Sequence, residues 1–300
     1  MKEVLISVCI NTYNRSELLV KCVTSVLSQS ISSFEILIID DCSTDNTQEK
    51  IAAIKDNRIK YFRNSTNKGL VFGRNYAIEM AEGQFFSFID DDDIWNHNYL
   101  QRMLSLYNDE HVDTIYCSQK LELPITSFTS NLKELMLAGF TPPVGAQFYK
   151  TVDIRTVGGY DSRIESGVDH DLWFSFALCD FSVIWLNECL VEENTDPSCL
   201  RMTTQFESRI IKTKKSISIW KSKCSKVFPE GFWQSLEENY ILRAGTKHVK
   251  YCIKNKKIML LVKILSKTPI KLLLKDIFRK RINRFFYIFA GYFHRCVKKG

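Results

Sequence analysis

Up to Ile89 the chain alternates short apolar runs with amphipathic stretches. "VLISVCIN" (Val4 to Asn11) and "FEILIID" (Phe34 to Asp40) are continuous and β-branched rather than alternating, the pattern of strands buried on both faces. "IKYFRN" (Ile59 to Asn64) and "GQFFSFI" (Gly83 to Ile89) read as a third and a fourth strand. Asn14 followed by Glu17 reads as a capping box opening a helix through Gln29. Asp45 with Gln48 caps the next helix, to about Lys55, and "GRNYAIEMA" (Gly73 to Ala81) makes a third. This β-α-β-α-β-α-β order predicts an α/β fold with a largely parallel sheet covered on both faces.

Beyond Asp109 the pattern loosens. "TIYCSQKL" reads as a further strand, "NLKELMLAGF" as a helix closed by Gly139, and "TPPVGAQF" as turn. A helix starts at Asp169, with Leu172, Phe176 and Ala177 on one side, and from about Ser208 the chain reads as helical. The expected division is a catalytic domain over 1–207 and a mainly helical region over 208–300.

Charge sharpens that division. Arg243 to Gly300 holds 17 Lys plus Arg against one acid, Asp276, while the remainder holds 24 bases against 33 acids, so the overall +7 averages an acidic body and a basic tail. After Lys267, Ile270, Leu273, Leu274 and Ile277 share a helical stripe continued by Phe278, Ile282, Phe285, Phe286, Phe289 and Phe293, with Lys271, Lys275 and Arg279 to Arg281 alongside. Such a face suits a helix lying in an anionic membrane interface; packing against the catalytic domain is the alternative reading. Nucleic acid has only charge in its favour and is not expected as a partner. No uncharged apolar run approaches the roughly 20 residues of a bilayer span. Ten scattered cysteines without a C-x-x-C pair, and a strand-like start where a secretory leader would stand, predict a reducing, cytosolic setting.

The polar residues that end these strands gather at one rim, because ligands of open α/β sheets collect beyond the carboxyl ends. They are "NTYNR" after the first strand, "DDCSTD" after the second and "DDDD" (Asp90 to Asp93) after the fourth. In an extended chain Asp90 and Asp92 aim one way and Asp91 and Asp93 the other, giving two interleaved D-x-D pairs. Either pair suits a hard divalent ion, Mn²⁺ or Mg²⁺, which takes carboxylate oxygens and leaves positions for phosphates. The competing reading places these acids at the N-terminus of the helix after "IWNH". At the second rim, Asp40 or Asp41 can accept a hydrogen bond from a base or a ribose.

"VCINTYNR", "EILIIDDCSTDNT", "NKGLVFGRNYAIEMAEGQFFSFIDDDDIW", "VGGYDSRI" and "DHDLW", taken in order and spacing, resemble the nucleotide-sugar-dependent family-2 glycosyltransferases over about Val4 to Val191. The resemblance implies the Rossmann-like GT-A fold and transfer with inversion at the anomeric carbon. It implies that Thr12 and Tyr13 line the nucleotide pocket, that Asp41 holds a uracil ring, that Arg74 lies near the nucleotide and that Asp91 touches the ribose. It also implies that Asp92 ligates the metal with support from Asp90, and that Asp169 is the general base. Val168 stands where the family usually has a Glu, which removes a companion acid beside that base. "VGGYD" reads as a glycine turn near the sugar, and Trp95 and Trp173 as core residues more readily than sugar platforms.

Together the two halves predict a hexosyltransferase at the cytoplasmic face of a bacterial inner membrane. It would move one glucose or galactose from a UDP-sugar to a lipid-linked sugar on undecaprenyl diphosphate, for O-antigen or capsule. A nucleotidyltransferase is the competing enzyme class, but "NTYNRSELL" lacks the glycines that would grip a triphosphate. A structural metal-binding module would leave Asp41, Arg74 and Asp169 without a shared purpose.

Overall fold

A computed structural model describes residues 4–110, 112–118, 127–137, 145–194 and 206–241. The expected membrane-facing tail and the helix stop at Gly139 lie outside them. Among the described residues no helix is long and apolar enough to cross a membrane.

The first half follows the predicted order: β1 (Ile6–Thr12), α1 (Ser16–Leu27), β2 (Phe34–Asp40), α2 (Thr47–Ala53), β3 (Ile59–Arg63), α3 (Leu70–Met80) and β4 (Phe85–Asp90). The later elements are β5 (Ile94–Trp95), α4 (Tyr99–Glu110), β6 (Thr114–Ser118), β7 (Ser127–Asn131), α5 (Leu132–Leu137), β8 (Gln147–Lys150), α6 (Thr151–Thr156), α7 (Val168–Leu178), β9 (Ser182–Cys189) and β10 (Val191–Glu192). Strand β8 begins inside the stretch read as turn. Helix α8 (Phe206–Cys224) and a helix over 230–241 belong to a second compact unit that also takes in Arg163–Gly167.

Eight strands form one sheet in the order β3-β2-β1-β4-β8-β6-β9-β7. β3, β2, β1 and β4 run parallel, as do β6 and β9, while β8 runs antiparallel to both its neighbours and β7 to β9. The chain builds outward from β1 through β2 to β3, then returns to pair β4 on the other side of β1. That reversal opens a crevice beyond the carboxyl ends of β1 and β4. Register makes the rim level: Thr12 pairs with Asp40, and Asn11 with Asp90. Residues on β2 and β4 are two strand spacings apart, about 10 Å.

Alternation along the strands sorts the core. Ile6, Val8 and Ile10 of β1 and Ile36 and Ile38 of β2 pack with Leu19, Cys22, Val23 and Val26 of α1. Each such buried aliphatic contributes about 1.5–3 kcal/mol. On the other face α3 lies flush against the strands at Gly73, where an added Cβ would sit 1.9 Å from Asn11 Nδ2 and 3.3 Å from Ile39 Cγ2.

The expected capping box is not how α1 starts. Asn14 adopts a left-handed conformation, φ 53°, and its Oδ1 accepts hydrogen bonds from the Thr44 and Asp45 N–H groups on the loop after β2. The cap of α1 comes from that loop instead: Asp45 Oδ2 accepts the Ser16 N–H at 3.1 Å, while Asp45 Oδ1 accepts the N–H of Thr47 at the start of α2. One carboxylate thus serves two helix starts, and these hydrogen bonds hold its pKa below the usual carboxylate value despite an opposing desolvation cost. Asp45→Ala is expected to cost about 1–2 kcal/mol in urea unfolding at neutral pH, the upper range for a cap. Because the folded pKa is the lower one, the deficit relative to wild type is present above the unfolded value near pH 4 and vanishes as pH falls through the folded pKa.

Candidate active site

The four aspartates do not continue as an extended strand. β4 ends at Asp90, and the Asp93 N–H donates to the Asp90 carbonyl at 3.0 Å, so the run closes a turn and its side chains diverge. Asp91 accepts from Thr12 Oγ1 and from Arg15 Nη1, each at 2.8 Å. Asp92 Oδ2 lies 3.7 Å from the same Arg15 nitrogen. Asp93 is buried and accepts the Asn194 N–H at 3.2 Å. The expected alternation is therefore corrected: Asp91 and Asp92 share one guanidinium, while Asp90 is directed toward Arg74, 3.7 Å away. The helix-terminus alternative fails as well, since β5 and a turn separate the acids from α4.

Crowding leaves an electrostatic mark. Enclosure deep in the cleft raises the Asp90 carboxyl to about 7; Arg74 pulls it back, and Asp169, Asp91 and Asp92 push it further up. Even so, 44% of its side chain opens to the cleft. Burial raises Asp93 to about 8, with Asp90 and Asp92 adding to it. Asp91 is also raised by burial, against the opposing pull of Arg15 and Thr12. Sequence reasoning gave Arg15 no role. Its only signal there is position, as the first cation after β1 on a rim crowded with acids.

At the second strand end Asp41 is a loop fastener. Its carboxylate accepts from Asn64 Nδ2 at 2.9 Å and from the N–H groups of Lys68 and Gly69 at 2.7 Å each, fixing the segment that leads into α3. Asp40 is fully buried and takes the Ser43 N–H and the Tyr61 hydroxyl. Of the expected nucleotide-pocket residues, Thr12 is buried against Asp91, and Tyr13 stands 46% exposed.

Arg74 reaches the rim because Gly73 brings α3 close to the sheet. Its guanidinium pairs with Asp169 through Nη1, approaches Asp90 through Nη2, and packs on the rings of Phe88 and Tyr160 at 5.1 and 5.4 Å. It is only 3% exposed and lies between the two acids. Burial alone would lower its pKa, but Asp169 foremost, and Asp90, raise it, and the cation persists.

The base candidate is delivered by a braced loop. Gly158 and Gly159 take φ values of 83° and 66°, as the glycine turn requires. Asn75, next to Arg74, then bonds both backbone groups of Tyr160: Nδ2 donates to the carbonyl at 2.8 Å and Oδ1 accepts the N–H at 2.9 Å. Asp171, in the first turn of α7, is buried and accepts the Asp161 N–H at 2.5 Å. Val168 is buried, and so are Trp95 and Trp173, which agrees with the core reading of the two tryptophans. Trp95 stacks on Tyr99 at 4.0 Å, and its Nε1 donates to the Gly145 carbonyl.

The rim therefore brings Thr12, Arg15, Asp91 and Asp92 into one group and Asp90, Arg74 and Asp169 into another, joined through the Asp90–Asp91 peptide. Asp41 stands at the neighbouring strand end. Carboxylate oxygens suit a hard divalent ion, and Asp90 and Asp92 with substrate phosphates would complete a coordination sphere. Among the described residues no group of three His, Cys, Asp or Glu side chains forms a metal cage by itself.

Known proteins resemble the chain in sequence and in fold. A UDP-Glc:alpha-D-GlcNAc-diphosphoundecaprenol beta-1,3-glucosyltransferase, WfgD, of Escherichia coli is 35% identical over 116 residues, 39% of this chain and 46% of that protein. The chain thus spans less than half the length of that relative. Among solved structures, TarS 1-349 of S. aureus in complex with UDP-GlcNAc superposes with a TM-score of 0.64 at 18% identity, covering 89% of this chain and 82% of that one. The mannosyltransferase PcManGT of Pyrobaculum calidifontis, in complex with GDP-Man and Mn2+, gives 0.59 at 14% identity over 98% and 88%. These two likenesses establish the fold, a GT-A α/β architecture. The profile described as Glycosyl transferase family 2 matches residues 7–183, well over half of the sequence, and the chain belongs to that family.

Proposed function

We propose that the protein is an inverting, metal-dependent hexosyltransferase that moves glucose or galactose from a UDP-sugar onto a lipid-linked sugar carried by undecaprenyl diphosphate, in O-antigen or capsule assembly. The observation that carries this reading is the bridge through Arg74, which sets Asp169 beside the acidic turn at the tip of β4. Transfer to an alcohol needs those two functions side by side: a place for the leaving diphosphate and a base for the incoming hydroxyl. The name of WfgD, which specifies a UDP-linked donor and a diphosphoundecaprenol acceptor, supports the choice of substrates.

Asp90 and Asp92 are the residues that would hold Mn²⁺ or Mg²⁺, and the bound ion would offset charge growing on the departing diphosphate. Asp41 uses three of its roughly four acceptor sites on the loop, leaving one for the N–H of a uracil ring. Thr12 and Tyr13 flank that ring, and Asp91 faces the ribose while Arg15 and Thr12 fix its orientation. Asp169 takes the proton of the acceptor hydroxyl as its oxygen bonds to the anomeric carbon and the bond to the diphosphate breaks on the opposite side.

Asp92→Ala should abolish detectable transfer and weaken metal-dependent UDP binding in calorimetry; wild-type turnover by the variant with the ion chelated would refute the assignment. Asp169→Asn is expected to bind UDP as wild type does but to lose about 10²–10⁴ in kcat, the range for a general base. The basic, aromatic tail fits a peripheral seat on the inner face of the membrane, each cation near an anionic surface contributing about 1 kcal/mol. Truncation after Lys267 should therefore release the protein from phosphatidylglycerol-containing vesicles in a sedimentation assay while leaving the catalytic unit folded.

A further inference from the structure

The geometry points to Arg74 as a positioning residue that sets Asp169 against the acidic turn. The inference deepens the proposed transfer reaction and rests on that reading.

A carboxylate at the start of a helix can rotate about two side-chain bonds, and a base whose oxygen wanders by an ångström loses much of its effect. Here Arg74 takes Oδ1 of Asp169, and Oδ2 has no hydrogen-bond partner among the described residues. One oxygen is thereby tied down and the other is left for a hydroxyl. The side chain is 24% exposed, so a substrate can reach it.

Arg74 can act this way because it is itself immobile. Phe88, one of the rings it packs on, lies two residues before Asp90 on the same strand. The other, Tyr160, is fixed by Asn75, the residue after Arg74. The guanidinium, the strand tip and the loop before the base thus belong to one packed cluster. A planar guanidinium serves two carboxylates through separate nitrogens held in a rigid fork and so sets their spacing, whereas an ammonium gathers its partners around one nitrogen with no fixed plane.

The test compares purified full-length Arg74→Lys, Arg74→Met, Asp169→Asn and the Arg74→Met/Asp169→Asn double variant. UDP binding is measured by calorimetry with and without Mn²⁺, folding by circular dichroism, and steady-state transfer at saturating Mn²⁺ with UDP-glucose and UDP-galactose to a sugar on undecaprenyl diphosphate. For a positioning residue, Arg74→Lys and Arg74→Met lose about 100-fold or more in kcat, the scale expected of misplacement. UDP Kd measured without added metal stays within about 2-fold, because Asp90, which Arg74 shares with the ion site, takes no part in metal-free binding. At saturating Mn²⁺ the double variant should be no slower than Asp169→Asn, since the base that Arg74 positions is gone.

The role is overturned if UDP binding weakens about 10-fold while kcat holds, the signature of lost uniform binding. It is equally overturned if the double variant's losses multiply, or if removing Arg74 speeds transfer by releasing a restrained base. Should Arg74→Met fail to fold, Arg74→Lys decides alone: a wild-type kcat there refutes the role, and a lost kcat with intact UDP binding upholds it. UDP titration does not depend on the acceptor. Wild type that binds UDP yet transfers to no acceptor sinks the proposed reaction, whereas weakened metal-free UDP binding in the Arg74 variants sinks the positioning role.

Discussion

Repulsion among carboxylates at the end of β4 is the constraint around which the catalytic unit is arranged. Four consecutive acids cannot share one surface in an enclosed cleft, because each raises the proton affinity of the others. The turn separates them, and two arginines from different elements take up the charge. Arg15 arrives from the end of β1 and Arg74 from α3, so the acids tie the start of the Rossmann unit to its fourth strand. Removing either cation would leave buried negative charge uncompensated, which usually costs more than the ion pair contributes.

The parallel half of the fold was readable because strands buried on both faces carry unbroken apolar runs, as in "FEILIID", whose predicted limits coincide with β2. The strand tips could be placed at one rim for the same reason. Reading failed where a side chain acts at a distance. Asn14 has the spacing of a local cap, yet its partners lie thirty residues away. Strand β8 gave no periodic signal because it is four residues long, and its place in the sheet depends on antiparallel pairing with β4 and β6. The alternation applied to Asp90–Asp93 presupposes an extended backbone, and a single turn hydrogen bond removes that premise.

The candidate site was legible in its residue types more than in its connections. Spacing and the family resemblance singled out Asp41, Arg74, Asp90, Asp92 and Asp169. They did not indicate that Asp41 holds the loop into α3, nor that Arg74 is enclosed between two acids. Arg15 and Asn75 went unassigned because one cation after a strand and one amide in a helix have no distinctive spacing. Their roles emerge only when β1, α3 and the glycine turn are packed together.

The cross-link made by Asn14 and Asp45 has a thermodynamic consequence. The loop after β1 donates the Ser16 N–H to Asp45, and the loop after β2 donates backbone N–H groups to Asn14, so neither can shift without breaking bonds to the other. Two surface segments that would otherwise be ordered separately behave as one stiff plate at the carboxyl ends of β1 and β2. Little conformational freedom is then left to surrender on association, and more of the contact energy appears as affinity.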